Sequence, residues 1–572
     1  MAGGLPRQAV RFGSKGFLWL LGGVFTVGFV LVWVRLLQLQ VLSRQELRQR
    51  LERQGYVRVT LLPVRGKIVD RRGEVLAQSV EAISYGVDPV MVRCRECLCR
   101  AFHEVLGLEL GECEQRLALG RGRFLWLRRG VWGPEARALD TVRDPGLVRL
   151  RERVRVYPHG ELFRAALGAV GVDQQGLSGL ELSFDSLLRV EPVAVLMRRD
   201  ARGRLLPLVE EAFEGVAQPP ILQTTLDGEL QRIVAYELAE GVRRAAAESG
   251  VAVALEPQTG AIRAFVAVPS PPVGSAHAPL VGQVYEPGSV LKPLIAVAAL
   301  EQGVVRVTDT VDAHSGQWEV AGLRIVDEHP LRWARLGKAL AVSSNIVFAE
   351  LARRLPPRVL YRYVRDFGFG LPTGIELPGE VAGIVPKPEQ FDATTPLFWG
   401  FGYGLAATPL QIACAYAAIA NDGVLMRPRL VEALRAADGT VRERFLPQRV
   451  RQVITAEVAR QVRQLLVQVV EEGTGRQARI SGIPLAGKTG TAQQVVEGRY
   501  SRQAHTASFV AMVPVERPRL VVLVMLVRPR QGTSGGQVAA PVVRRILQRM
   551  AAHPELSTYV RVPGTAAAER SS

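Results

Sequence analysis

Lysine and asparagine are scarce in this chain. Of its 72 basic residues only six are lysine, at positions 15, 67, 292, 338, 387 and 488, and arginine supplies the rest. Asparagine occurs twice, as Asn345 and Asn421. Arginine cannot give up its proton in a protein, whereas a buried lysine amine can. In a chain that uses arginine wherever a plain positive charge suffices, each retained lysine is a candidate for chemistry. Cysteine is sparse as well. Cys94, Cys97, Cys99 and Cys113 cluster, and Cys414 stands alone in an apolar helical run, where it reads as a small buried hydrophobe. Three readings of the cluster stand open: disulfides, free thiols or part of a metal site. No histidine completes a familiar zinc spacing, although His103 is near. The chain lacks nucleic-acid motifs and aromatic-interleaved basic clusters. Its net charge of +18 is therefore read as arginine spread over the surface, with anionic lipid headgroups rather than nucleic acid as the partner.

What is present begins with an apolar run. Residues 16–34, GFLWLLGGVFTVGFVLVWV, hold 19 uncharged residues, enough to cross a bilayer as a helix. Arg7, Arg11 and Lys15 precede it without an acidic residue, so the positive-inside rule puts 1–15 in the cytoplasm and the rest outside. No small-x-small cleavage site follows, which favours a membrane anchor over 16–38 rather than a removed signal. The 572 residues, 48% of them apolar, can form several domains with ample core.

Periodicity predicts a helix over 35–55, then a strand, a turn and another strand within 57–79. Residues 100–150 read as partly helical. Pro219-Pro220 marks a boundary before a capped helix starting near Asp227. Residues 251–268 read as a hairpin turning at Pro257 to Gly260. Helices are expected over 289–302, 338–354, 408–420 and 538–551, and strands over 506–514 and 519–528. Strands early, helices in the middle, then strands and a closing helix indicate an α+β fold, with helices packed on a mainly antiparallel sheet.

Three short strings carry chemistry. Ser289-Val290-Leu291-Lys292 opens a helix, so Ser289 and Lys292 share a helix face near free backbone N–H groups. A serine hydroxyl needs a base beside it, and a neutral lysine can serve; burial and a second cation, Lys488, both favour the neutral form. Ser343-Ser344-Asn345 reads alone as a helix cap; beside Lys292, Ser343 relays a proton and Asn345 holds a substrate amide and fixes the lysine. Lys488-Thr489-Gly490-Thr491 reads as a strand whose cation and hydroxyls grip a carboxylate, with Gly490 allowing close approach of a substrate backbone. Each string alone has a bland reading. Together, in order and each unique, they point to an acyl-transfer site.

With these strings in place, the chain resembles a class B penicillin-binding protein of the cell-division, FtsI-like kind. RGKIVDRRGEVLA (65–77), YPHGELFRAALGAVG (157–171) and GLSGLELSFDSLL (176–188) are similar to the family's pedestal. LEPQTGAIRAFV (255–266), YEPGSVLKP (285–293), FGFGLPTGIELPGE (367–380), FGYGLAATPLQIA (401–413) and AGKTGTAQ (486–493) are similar to its transpeptidase domain. YEPGS favours the division enzymes over those of elongation.

The resemblance implies an elongated pedestal over 39–220, a transpeptidase domain over 221–555 and a flexible tail over 556–572. It implies D,D-transpeptidation of peptidoglycan stem peptides or their lipid-linked precursor, with β-lactams as covalent inhibitors. The catalytic set would be Ser289, Lys292, Ser343, Asn345 and Lys488. Thr489, Gly490 and Thr491 would bind substrate, and the N–H groups of Ser289 and Thr491 would form an oxyanion hole. No metal or cofactor is implied. An FtsW-like glycan polymerase and other division proteins are the implied partners. The family often has Ser where Gly400 stands and Val where Ala407 stands. The linker from Pro269 to Tyr285 is short, so a departure is expected at the rim of the site. A bifunctional enzyme would need a glycosyltransferase where 35–220 resembles a pedestal. A class A β-lactamase would need a Glu-x-x-Leu-Asn string, which is absent. A non-catalytic scaffold would have no need of the lysines.

Overall fold

The computed structural model describes residues 14–38, 56–61, 64–119, 124–189, 193–199, 205–207, 219–273, 275, 278–496 and 498–561. The helix expected over 35–55 lies outside them beyond residue 38, as does the tail after residue 561. The described residues fall into two compact units, one from 1–63 and 191–217, the other from 64–190 and 218–572. The expected pedestal over 39–220 is thus divided between them.

In the first unit a 24-residue helix, Ser14–Leu37, contains the apolar run. At 1.5 Å per residue it is about 36 Å long, more than a bilayer's hydrocarbon core. The strands Tyr56–Leu61, Val193–Arg199 and Leu205–Pro207 form a three-stranded antiparallel sheet in that order.

The second unit is built on a five-stranded antiparallel sheet. Its order is Ile262–Val268, Ser249–Leu255, Leu520–Val527, Arg499–Val513 and Ala486–Val496. The inner strands read as unbroken apolar runs because both faces are covered. Val251, Val253, Leu523 and Met525 face the helices Lys292–Glu301, Pro409–Ala420 and Ala456–Glu471. Ala252, Ala254, Val522 and Val524 face Gly228–Ala245 and Gly535–Ala552. Among the described residues the strand Ala486–Val496 is the edge of this sheet, with no strand paired on its outer side.

The RGKIVDRRGE segment acts as a fastener. Arg65 is buried and donates from Nε to Glu181 Oε2 at 2.7 Å and from Nη1 to Asp185 Oδ1 at 2.5 Å, while Arg155 Nε reaches the other oxygen of Glu181 at 2.7 Å. Asp70 accepts from Arg72 N, Glu74 N and Gly228 N, and Asp227 caps the 228–245 helix while pairing with Arg71 and Arg72. The short strand Lys67–Val69 runs parallel to Ile221–Thr224, which pairs in turn with Val431–Arg435 and so joins this segment to the rest of the unit through one sheet.

Residues 100–150 are partly helical, as expected, and also include the strand Leu125–Val131 and the start of Leu147–Val156. The single helix expected over 338–354 is two, Leu336–Val342 and Asn345–Arg354, broken where Ser343 takes a left-handed φ of 60°. The cysteines of the cluster are disulfide-bonded as Cys94–Cys97 and Cys99–Cys113, the second tying the helix Arg95–Leu106 to Leu110–Leu119. Cys414 is free and buried, as its apolar setting suggested. The tail begins later than 556: Leu556 and Val560 are fully buried, and Tyr559 donates to Glu256 at 2.8 Å.

Candidate active site

The three strings meet at the junction of the edge strand and the helical layer. Ser289 lies in a 3-10 turn, Gly288–Leu291, that feeds the helix Lys292–Glu301, with Pro293 pre-set for its first turn. The turn is held from three sides. Gly288 N donates to Gly402 O at 3.0 Å. Tyr416 OH, buried on the Pro409–Ala420 helix, donates to Val290 O at 2.8 Å. The edge strand closes the third side, where a Cβ on Gly288 would sit 3.0 Å from Thr491 O. Gly402 has φ +89°, and a Cβ there would overlap Gly288 O, so the FGYG string is a mould for the serine turn.

Lys292 and Lys488 are fully buried. Lys292 Nζ lies 2.6 Å from Ser343 O, 2.7 Å from Asn345 Oδ1 and 3.2 Å from Ser343 Oγ. Lys488 Nζ lies 2.9 Å from the same Ser343 Oγ and 3.0 Å from Thr489 O. Burial pushes Lys292 down to about 7, with the Asp327 carboxylate pulling the other way. Burial also takes Lys488 well below its ordinary value, and the charge of Lys292 adds to the fall. Two like charges this close cannot both persist in an apolar site, so a neutral amine is present near neutral pH.

The contacts around Lys292 show what a neutral amine would do. Ser343 O and Asn345 Oδ1 only accept, so they take two N–H bonds. The lone pair is left for a hydroxyl. Ser343, poised between the two amines, can donate to one while accepting from the other. The left-handed kink that broke the expected helix is what turns Ser343 toward both lysines. Ser344, one residue on, performs the ordinary capping role by accepting from Val347 N at 3.1 Å. Ser289 makes no hydrogen bond to Lys292 here; such bonds often tighten only when substrate binds.

A cleft of about 440 Å³ opens over this cluster, lined by Ser289, Ser343, Asn345, Tyr403, Thr489 and Thr491 among others. Strand alternation separates the roles on Ala486–Val496. Lys488 pairs with Val510, which packs on the helical side. Thr489 pairs with Phe509 on the opposite side, and its hydroxyl lies 2.7 Å from Thr474 Oγ1. Thr491 Oγ1 accepts from Gly535 N at 3.1 Å, at the start of the closing helix. Gly490 is corrected in its reason: a Cβ there would meet Ser508, Val290 and Pro287 O, so the protein's own packing claims the space that was assigned to a ligand.

Sequence reasoning missed Asp327, Tyr416, Tyr403 and Thr474. No spacing rule links them to the strings, since each arrives from a separate element. The Gly400 departure also finds its reason. A Cβ at 400 would lie 2.6 Å from Ala349 Cα and from Phe348 O, so glycine lets the Thr395–Gly400 helix press on Asn345–Arg354. At the rim, the short linker contains the helical turn Pro279–Gly282, with Leu280 and Val281 buried.

An edge strand bearing Lys-Thr-Gly, set against a helix that begins at Ser-x-x-Lys, with Ser-x-Asn between them, defines the class of penicillin-recognising serine proteins. Comparison with known proteins agrees. Residues 250–548 match the penicillin-binding protein transpeptidase domain, and residues 60–217 match the penicillin-binding protein dimerisation domain. The chain is 30% identical to peptidoglycan D,D-transpeptidase FtsI of Escherichia coli, over 92% of this chain and 90% of that protein. It is 31% identical to stage V sporulation protein D of Bacillus subtilis, over 85% and 78%. The crystal structure of penicillin-binding protein 3 from Mycobacterium tuberculosis complexed with aztreonam superimposes with a TM-score of 0.67 at 27% identity, covering 88% of this chain and 98% of that one. The chain belongs to the class B penicillin-binding proteins.

Proposed function

We propose that this chain is a membrane-anchored peptidoglycan D,D-transpeptidase working through an acyl-serine intermediate, with its N-terminus cytoplasmic and residues 221–555 acting outside. The observation that carries the reading is one hydroxyl, Ser343 Oγ, shared by two fully buried lysines beside Ser289.

In the first step Ser289 Oγ attacks the carbonyl between two terminal D-alanines, and its proton passes to Lys292. The oxyanion rests on the N–H groups of Ser289 and Thr491. Collapse breaks the C–N bond, and a proton delivered through Ser343 leaves with the released D-alanine. In the second step the amine of a neighbouring stem peptide attacks the ester, loses a proton to Lys292 and takes the acyl group. Ser289 then regains its proton. Asn345 orients the donor amide, while Thr489 and Thr491 receive the terminal carboxylate. β-Lactams enter as mimics of the donor and stop after the first step.

The duty proposed is septal, supported by the YEPGS form of the serine motif, with an FtsW-like glycan polymerase as working partner. The likeness to a sporulation protein supports sporulation as the second reading of duty, with the same chemistry.

The test is to incubate the full chain in detergent with a fluorescent penicillin, alongside Ser289→Ala. A stable covalent label on the parent and none on the variant is expected. An unlabelled but folded parent would refute the acyl-serine reading, and rapid loss of label would point to a hydrolase.

A further inference from the structure

Asp327 stands outside every string, yet it is a buried carboxylate at the centre of the Ser-x-Asn contacts. It follows the strand Leu323–Val326 and faces the start of the helix Asn345–Arg354. Its Oδ1 accepts from Asn345 N at 2.5 Å and from Ile346 N at 3.1 Å, and its Oδ2 accepts from Ser344 Oγ. An anion suits this place, because the first N–H groups of a helix have no partners of their own and carry partial positive charge. The neighbouring Val326 O accepts from Asn345 Nδ2 at 3.2 Å. Two consecutive residues thus hold Asn345 at its backbone and at its side chain. With the amide nitrogen engaged by Val326, only the oxygen remains to face Lys292.

We propose that Asp327 is a positioning residue of this site: bonded to the start of the Ser-x-Asn helix, it fixes Asn345 as an acceptor toward Lys292 and sets an anion behind that contact. The inference rests on the acyl-serine reading given above. Removing Asp327 would release the helix start and let the Asn345 amide turn. Asp327→Asn removes the charge at nearly unchanged shape: its amide oxygen can still accept from Asn345 N and Ile346 N, while the Ser344 hydroxyl turns to accept from the new amide nitrogen.

The charged surroundings of Lys292 are few. Lys488 faces it from the edge strand, sharing the Ser343 hydroxyl with it, and the charge of Lys292 lowers Lys488; Asp327 favours the charge of Lys292. The Phe348 ring lies 6.0 Å from Nζ. Glu328, His329 and Arg476 line the cleft above. Of these, only Asp327 is both buried and bonded to the Ser-x-Asn backbone, which is why its charge is coupled to the position of Asn345.

The experiment measures the rate of labelling by a fluorescent penicillin against pH, for the full chain in detergent, with Asp327→Asn and Asp327→Glu in parallel. In the parent the rate rises as Lys292 loses its proton. Asp327→Asn removes the stabilising anion, so the midpoint of its profile is expected about one pH unit lower, the low end of what a nearby opposite charge does. Asp327→Glu keeps the charge while displacing the carboxylate, so its midpoint stays with the parent and its plateau falls. A merely structural role would lower plateaus without moving any midpoint. An Asp327→Asn profile that superimposes on the parent overturns the proposal, as does an Asp327→Glu midpoint displaced by a full unit. If the asparagine variant does not fold, Asp327→Ser, which also removes the charge and keeps an acceptor for the helix start, is read by the same midpoint criterion. Absence of label on the folded parent refutes instead the acyl-serine reading on which the proposal stands.

Discussion

Burying Lys292 gives this protein a pH dependence of stability whose sign and size follow from the site. A lysine in water titrates at about 10.4. Burial brings Lys292 down to about 7. Between those values the unfolded chain holds a proton that the folded chain has released. Stability therefore rises with pH through this window. The contribution is least favourable below about 7, where the folded amine must carry its charge in an apolar site, and the penalty is gone above about 10.4. One proton corresponds to about 1.4 kcal/mol per pH unit. From about pH 8 to about pH 9.5 the parent should gain ~2 kcal/mol that a Lys292→Met chain does not. Methionine keeps most of the volume, so the comparison isolates the charge. Lys488 is itself lowered, first by burial and then by Lys292. The assay is urea unfolding followed by tryptophan fluorescence, at a series of pH values, on both chains. Parallel stability–pH curves would refute the claim that Lys292 is held neutral by burial.

Gly402→Ala should be destabilised and label poorly with penicillin, since the added methyl group enters the space of Gly288 O and distorts the serine turn; unchanged labelling kinetics would contradict the mould. Glu181→Ala leaves the buried guanidiniums of Arg65 and Arg155 without their shared partner, a loss of about 3–5 kcal/mol readable as a lowered urea midpoint. Thiol alkylation of the denatured chain should add one label without reductant, at Cys414, and five with it, as counted by intact mass.

The sequence was most legible where local rules suffice. The anchor is a composition, and the Asp227 cap is a local hydrogen bond that its residue type announces. The apolar runs over 506–514 and 519–528 announced strands, and alternation within them reflects two covered faces. A helix start at Ser343-Ser344-Asn345 was legible as a cap, but the left-handed turn of Ser343 was not. Its flanks are good helix formers, and the left-handed turn survives because Asp327 and Lys292 reward it from distant parts of the chain. Pairing among the four clustered cysteines was equally out of reach, because spacing alone permits several connectivities.

The sequence by itself determined the inventory: an anchor, an α+β plan, and a serine, two lysines and an asparagine in three ordered strings. Rarity made those residues conspicuous, and short-range geometry put Ser289 and Lys292 on one helix face. Only the tertiary structure decided what the inventory does together. It sank both amines below the surface, where desolvation is the largest cause lowering their proton affinity, joined at Lys488 by the charge of Lys292. It set one hydroxyl between them and gave Gly490 its role in packing. It also brought in Asp327, Tyr416 and Thr474 from separate elements. Burial and long-range contact depend on where the whole chain closes, and no local string carries that information.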